Sequence, residues 1–481
     1  MATAFRSDAY INGEWRGSAK RFPVYNPATQ EVIAQVPDLG ASDCEDAIAA
    51  ADAAFPAWSA KTAKERAVIM RAWYEAMMAD VDRLAAMITR EGGKPLAEAK
   101  GEAIYGASFV EWFGEEAKRA YGRTIPTTTP TRRYVTIKQP VGVCCAVTPW
   151  NFPMAMITRK AAPAIAAGCT IVLKPPHQTP LTALMLAELA EKAGIPKGVF
   201  NVVTTHESTD AIGRTMCESP TVKKFSFTGS TAVGKKLGAL CIGSTVKRIS
   251  LELGGNAPLL IFADCDMDQA VKGAIACKFR NAGQTCVCAN RILVEDKIYD
   301  EFSKKLAEAV KALKVGPGDQ DGVTIGPLID MKAMEKVERM VAEAIDAGAT
   351  PLAGGKPNAA GKQFFTPTVL ANVTRDMRVN TEEIFGPVAP LINFSSDDEA
   401  VSIANDTPYG LAGYFFTKDV HRAWRIAERL QYGMISINDG ILSNEVVPFG
   451  GVKESGLGRE GGVEGLEEYL DTKYINFGGF A

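Results

Sequence analysis

The stretch Val222-Lys223-Lys224-Phe225-Ser226-Phe227-Thr228-Gly229-Ser230-Thr231-Ala232-Val233-Gly234 changes its period halfway along. Residues 222–227 read as a short apolar strand and 231–240 as a helix, with Thr228-Gly229-Ser230 as the turn between them. Working outward, the alternation repeats. Upstream, 143–147 is an apolar strand ending at Thr148-Pro149-Trp150-Asn151-Phe152-Pro153, and 169–173 is a second. A helix with Thr179 at its N-cap and Pro180 at its first position runs to Gly194. A strand at 199–203 and a helix at 210–217 follow, and downstream comes a strand at 247–253. Short apolar strands alternating with helices predict an α/β fold with a parallel, doubly wound sheet. Ligands of such sheets bind beyond the carboxyl ends of the strands.

The flanks read differently. Asn12-Gly13 marks a hairpin between short strands. A helix is expected from about Ser42, where Ser42 and Glu45 have capping-box spacing, and helical pattern fills 62–90 and 94–120. Pro126 and Pro130 break that pattern within a threonine-rich run, and a polar strand at 132–139 follows, like an arm leaving the main body. From Pro258 to about Asn438 a second alternating region includes a helix with Tyr299, Phe302, Leu306, Val310 and Leu313 on one face. The tail after Gly462 holds a helix and a last strand at 472–477.

At 481 residues the chain is long for a single core, and length alone suggests roughly three domains. Hydrophobic residues make up 47% and charged ones 23%, a globular composition, and the net charge of -3 gives no electrostatic case for nucleic acid or a membrane surface. Residues 1–6 lack an apolar core of signal-peptide length. The longest apolar region, 161–173, is interrupted by Pro163 and Gly168 and cannot span a bilayer, so a cytoplasmic location is expected. Ten scattered cysteines fit reduced thiols. With three histidines and no ligand spacing, no metal is expected, and a general base would have to be a carboxylate.

Two glycine loops compete for a phosphate. Gly456-Leu457-Gly458-Arg459-Glu460-Gly461 matches G-x-G-x-x-G letter for letter, yet follows Pro448-Phe449-Gly450-Gly451 rather than an apolar strand. Gly229 sits at a strand end and opens a helix, where free N–H groups and the helix dipole favour an anion. Context favours Gly229, with an ordinary strand-to-helix turn as the alternative.

Asn281-Ala282-Gly283-Gln284-Thr285-Cys286-Val287-Cys288-Ala289-Asn290-Arg291 is polar and centred on a thiol. Cys286 there is either a buried structural cysteine or an accessible, partly ionised nucleophile. Other segments offer partners. Glu252 ends an apolar strand, which would raise its pKa and suit it to take a proton from water; a structural ion pair is the alternative. Asn151 offers an amide for a developing oxyanion, or caps a turn. Lys174, at another strand end, could reach ribose or phosphate. Together they suit aldehyde oxidation through a thioester on Cys286, with hydride passing to a nicotinamide.

These segments, in this order, resemble the aldehyde dehydrogenase superfamily: 148–153 (TPWNFP), 172–175, 227–234 (FTGSTAVG), 251–258 (LELGGNAP), 283–288 (GQTCVC), 382–388 (EEIFGPV) and 448–451 (PFGG). The resemblance implies Cys286 as nucleophile, Glu252 as base and Asn151 as oxyanion donor. It implies a Rossmann-type cofactor site drawing on Trp150, Asn151, Lys174, Gly229, Ser230, Gly234, Leu253, Glu383 and Phe385, and it makes the late glycine cluster structural. It divides the chain into a dinucleotide-binding domain (1–121 and 141–252), an α/β catalytic domain (253–446) and a small β oligomerisation element (122–140 and 466–481). A homo-oligomer, dimer or tetramer, is implied.

Within the superfamily the chain is most similar to succinate-semialdehyde dehydrogenases. Arg159, Arg280 and Ser443 match that subfamily's carboxylate pocket, and two guanidiniums with a hydroxyl would select a short aldehyde with an anionic far end. Glutarate semialdehyde or a sulfonated small aldehyde would suit the same groups, and a cysteine-dependent esterase or acyltransferase is the reading from another class. Cys288 matches the subfamily's redox partner; a Cys286–Cys288 disulfide or its exclusion by strain both remain open. Many NAD-using relatives carry Glu three residues after Lys174, where His177 stands here. Without that acid a 2′-phosphate is not repelled, so NADP is expected, with NAD also accepted.

Overall fold

The computed structural model describes residues 5–480, so the start of the N-terminal segment and Ala481 of the tail lie outside the described residues. Five parallel strands form the centre of the first sheet in the spatial order Phe200–Val202, Thr170–Lys174, Val143–Val147, Val222–Thr228, Arg248–Glu252. The hairpin Ala9–Ile11/Glu14–Arg16 adds one edge through left-handed Asn12 (φ 54°) and Gly13 (φ 73°), and Gly456–Leu457 adds the other. Successive side chains of a strand point to opposite faces. Along Val143–Val147, Cys144 and Ala146 therefore join one core, beneath the helices Ala63–Ala79, Leu96–Glu116 and Ala155–Ala167. Val143, Cys145 and Val147 join the other, with Ala41–Ser59, Thr209–Glu218 and Thr231–Ser244. Burial on both faces is why these strands lack polar alternation. The strand order reverses between Val143–Val147 and Val222–Thr228, so the ligand crevice expected of such a sheet opens between Asn151 and Gly229.

Several local expectations shift. The first helix is capped by Gly40 rather than Ser42, and the Asp43 carboxylate accepts from the Gly40 N–H at 3.0 Å. The 62–90 pattern is two helices, Ala63–Ala79 and Val81–Gly92, parted at Asp80. Thr179 occupies the N-cap of Pro180–Lys192 but makes no capping hydrogen bond. Buried Glu91 replaces it, accepting from the N–H groups of Leu181 and Thr182, both at 2.8 Å. One carboxyl group satisfies two orphan donors at once, where the threonine hydroxyl would take one, so it outcompetes the hydroxyl.

The second sheet has seven strands in the order Thr350–Ala353, Thr368–Ala371, Val388–Phe394, Ala289–Glu295, Ala257–Ile261, Ala412–Phe416, Met434–Ile437, parallel except at Thr350–Ala353. A third, small sheet pairs Arg123–Ile125, Arg133–Pro140 and Leu470–Phe477, most of its residues exposed or half-buried. The link 253–256 joins the carboxyl end of Arg248–Glu252 to the amino end of Ala257–Ile261. Ala257 pairs with Ala289, which sets that link beside 286–288. The approach is close: a Cβ on Gly255 would stand 2.5 Å from the Cys286 carbonyl oxygen. The carboxyl ends of one sheet thus face the amino ends of the next, and that seam holds the candidate site.

Candidate active site

The helix Met267–Phe279 delivers the chain to the cysteine loop, where Asn281 (φ 50°), Ala282 (φ 54°) and Gly283 (φ 75°) are all left-handed. For alanine this conformation costs about 1–2 kcal/mol, so the surroundings must hold it. They do. The Asn281 N–H donates to Glu98 Oε2 at 2.8 Å, and Gln284 Nε2 donates to the Asn281 carbonyl at 3.0 Å. Gly283 is pressed on Gly386, whose oxygen would lie 2.1 Å from any Cβ there.

This fold of the loop leaves Cys286 half-buried at the junction of two cavities. One, of about 670 Å³, is walled by Trp150, Asn151, Gly229, Ser230, Leu253 and Glu383 among others. The other, of about 290 Å³, is walled by Glu98, Tyr105, Arg159, Arg280, Ser443 and Phe449 among others. The partly ionised resting thiol is corrected: burial pushes the Cys286 thiol up to about 12, against the counteracting charge of Arg159. Cys286 is therefore protonated at neutral pH and needs a base.

Glu252, buried at the end of its strand, lies within electrostatic reach of the thiol. Neither of its carboxylate oxygens has a hydrogen-bond partner among the described residues, which excludes the structural ion pair. Burial foremost, then the charge of Glu460, holds its carboxyl well above the usual range, while Lys160, Arg159 and Arg459 oppose the shift. Glu460 is held by the buried ammonium of Lys160. Sequence reasoning missed that pair, because Glu460 falls inside the late glycine cluster. The cluster itself is structural: Gly456 and Leu457 pair with Glu252 and Leu251, closing the edge beside the carboxylate. Asn151 donates from Nδ2 to the Gln284 carbonyl at 3.1 Å, leaving its second amide proton uncommitted.

The larger cavity has the features of a dinucleotide site. Ser230 stands at the N-cap of Thr231–Ser244 without a capping side-chain bond, so the first-turn N–H groups stay open to an anion. Gly229 itself donates to the Glu252 carbonyl at 3.0 Å. Gly234 lets Leu253 close over the helix; a Cβ there would fall 2.3 Å from the leucine Cδ2. Glu383 accepts from the Gly255 N–H at 2.9 Å, and burial pushes its carboxyl up to about 7. Phe385 meets Trp150 edge-on, ring centres 5.6 Å apart. Lys174 is buried beneath this region with its ammonium on the Pro175 carbonyl at 3.0 Å, and burial lowers it to about 8. His177 lines neither of the two cavities that meet at Cys286. It lies 4.4 Å, ring to ring, from His206 in a neighbouring cavity of about 370 Å³ that shares Ile329 and Asp330 with the large one. Lys332, Lys336 and Arg339 also face the large cavity, three cations on one helix that no glycine or strand pattern would have flagged.

In the smaller cavity Arg159 is 2% exposed, caged by Phe449, Phe109 and Tyr105. One nitrogen donates to Tyr105 Oη at 2.8 Å; Nε and Nη1 have no hydrogen-bond partner among the described residues, though Glu460 lies 3.6 Å away. Arg280 stacks its guanidinium 5.3 Å from the Phe152 ring centre. Ser443 completes the wall. Cys286 and Cys288 are both free thiols, and Cys288 Sγ is 3.4 Å from Lys278 Nζ and 3.3 Å from the Lys278 carbonyl. Among the described residues no acidic, histidine or cysteine group could hold a metal ion, and no helix is long and apolar enough to cross a membrane.

A thiol between a dinucleotide-shaped cleft and a small cationic chamber, with a buried carboxylate at hand, is the arrangement the resemblance implies, and the chain belongs to the aldehyde dehydrogenase family, which matches residues 15–475. It is 55% identical over 480 residues to a glutarate-semialdehyde dehydrogenase of Pseudomonas aeruginosa, covering 99% of both chains. It is 55% identical to the NADP(+) succinate-semialdehyde dehydrogenase of Escherichia coli, covering 98% of both, and 54% identical to a 3-sulfolactaldehyde dehydrogenase of Pseudomonas putida, covering 98% and 97%. The crystal structure of succinate-semialdehyde dehydrogenase from Burkholderia pseudomallei superposes with a TM-score of 0.97 at 54% identity over 98% of each chain, which bears out the expected fold.

Proposed function

We propose that this aldehyde dehydrogenase oxidises succinate semialdehyde to the acid, using NADP and also accepting NAD. The observation that carries the substrate is the buried Arg159 on the wall of a chamber of about 290 Å³, whose guanidinium makes one hydrogen bond, to Tyr105, and lies 3.6 Å from Glu460. A buried guanidinium with a single neutral hydrogen-bond acceptor keeps donor capacity for a substrate anion. Arg280 and Ser443 add donors, and the chamber suits a short chain. Glutarate semialdehyde and a sulfonated aldehyde present the same far end, and relatives named for them are as similar as those named for succinate semialdehyde.

The steps follow from the groups. Glu252 takes the proton of the Cys286 thiol, and the sulfur adds to the aldehyde carbon, forming a thiohemiacetal whose oxyanion receives the free Asn151 N–H. NADP, when bound, accepts the hydride that leaves this carbon. Once Glu252 has passed the thiol proton to solvent, it takes a proton from the water that attacks the thioester, and the acid departs as the sulfur recovers that proton. For the cofactor, the cations Lys332, Lys336 and Arg339 on the large cavity support NADP. The division into dinucleotide-binding and catalytic domains follows the two sheets. The small exposed sheet reads as an oligomerisation element of a cytoplasmic dimer or tetramer, which sedimentation equilibrium would measure.

The test is a kcat/KM panel of three- to five-carbon aldehydes, anionic and neutral, each with NAD and NADP. Anionic aldehydes should win by at least tenfold, and parity would end the assignment of Arg159 and Arg280. Reduced cofactor accumulating on addition of aldehyde separates this reading from an esterase, which would release acid with no reduction.

A further inference from the structure

We infer that Lys94, held by Glu102, is a positioning residue that sets the reach of the Asn151 amide over Cys286; the inference rests on the functional reading above. Lys94 is 2% exposed, and its ammonium has three neighbours. It is ion-paired to Glu102 Oε2, donates to the main-chain oxygen of Asn151 at 2.7 Å, and sits 3.9 Å from the centre of the Phe152 ring. The other oxygen of Glu102 accepts from the Met154 N–H at 2.9 Å, where the Asn151 segment enters the helix Ala155–Ala167. The Lys94–Glu102 pair therefore grips 151–154 at both ends.

The far side of Asn151 is held from the cysteine loop. Asn281 Nδ2 donates to the Asn151 carbonyl at 3.0 Å, and Asn151 Nδ2 donates to the Gln284 carbonyl at 3.1 Å. Asn151 Oδ1, buried, has no partner among the described residues. The hydrogen bonds that place this residue among the described residues thus act on its backbone oxygen and one amide proton, and Lys94 supplies the only charged one. Lys94 is itself well anchored. It follows Gly93, left-handed at φ 82° and packed on Pro27 and Pro327, and its own carbonyl would lie 2.4 Å from a Cβ on Gly318. The ammonium consequently carries the position of the 316–327 segment to the oxyanion donor.

A charge buried this deeply is expensive, so its retention for packing alone is hard to rationalise. Moving a catalytic donor by about 1 Å costs on the order of a hundredfold. Replacing Lys94 alone would strand Glu102, so the variant of choice is the neutral pair Lys94→Met/Glu102→Gln, which removes both charges together and leaves Glu98 its neighbour Arg280. It should fold and bind NADP with a KM within twofold of the parent, while kcat falls by about tenfold to a hundredfold. The decisive comparison repeats the change in the Asn151→Ala background, where it should lower kcat by no more than about twofold. An equal loss in both backgrounds overturns the inference, as does an unchanged kcat in the Asn151 background. A parent enzyme that forms no reduced cofactor from any aldehyde would defeat the functional reading instead.

Discussion

Replacing Arg159 by methionine tests the anionic chamber with little collateral damage. The guanidinium is enclosed by Phe449, Phe109 and Tyr105, so a flexible apolar side chain of similar length fills the same cage. Glu460 loses a neighbour 3.6 Å away but keeps its bond to Lys160, so no acid is stranded. What disappears is the one fully buried cation, among the described residues, on the wall of the small cavity. A hydrogen bond to a charged group is worth about 1.5–3 kcal/mol, and desolvation here favours the upper end. About 3 kcal/mol corresponds to roughly 150-fold. For Arg159→Met, kcat/KM toward succinate semialdehyde should therefore drop by about two orders of magnitude, while butanal should change less than threefold. Thermal unfolding should confirm a midpoint within a few degrees of the parent. A loss shared equally by the charged and neutral aldehydes would mean that Arg159 serves the chemistry or the packing, not recognition.

Three further outcomes are expected. Glu252→Gln should give one burst of reduced cofactor and then stall, whereas Cys286→Ala should give none; stopped-flow absorbance distinguishes them, and steady turnover in the glutamine variant would reassign the base. Burial, with the charges of His206 and Lys174, pushes His177 down from 6.5 to about 4, so between those values the folded chain holds fewer protons than the unfolded one. Stability from this group is complete above pH 6.5 and lost as pH falls toward 4, by about 2–3 kcal/mol; His177→Gln should flatten that part of the urea-midpoint profile, and an unaltered slope would refute the burial argument. Gly283→Ala forces a methyl to 2.1 Å from the Gly386 oxygen at φ 75°, so turnover should fall at least tenfold, with slowed alkylation of Cys286 as the check.

The strand–turn–helix unit at 222–234 was readable because burial on both faces removes polar residues, and length and glycine punctuation then settle the period. Cys286, Glu252 and Asn151 were readable because each sits at the end of a recognisable element. Their electrostatics were not. The segment around Cys286 is polar in sequence, yet it folds back against Gly255 and Gly386, and that burial reverses the thiol's ionisation. The Thr179 cap failed for a related reason, since Glu91, distant in sequence, takes the Leu181 and Thr182 amides with its two oxygens. His177 counts from Lys174 like a ribose contact, but a few residues past a strand the chain has turned into the neighbouring cavity. Lys94 and Glu102 carry no local signature, because their meaning comes from partners across the fold.

The reactive sulfur has separate approaches on its two sides. The nucleotide and the aldehyde need not queue for one doorway, and either can dock while the other is seated. An inhibitor filling the small chamber should leave nucleotide affinity intact, and a molecule long enough to bridge both would draw on the two affinities at once.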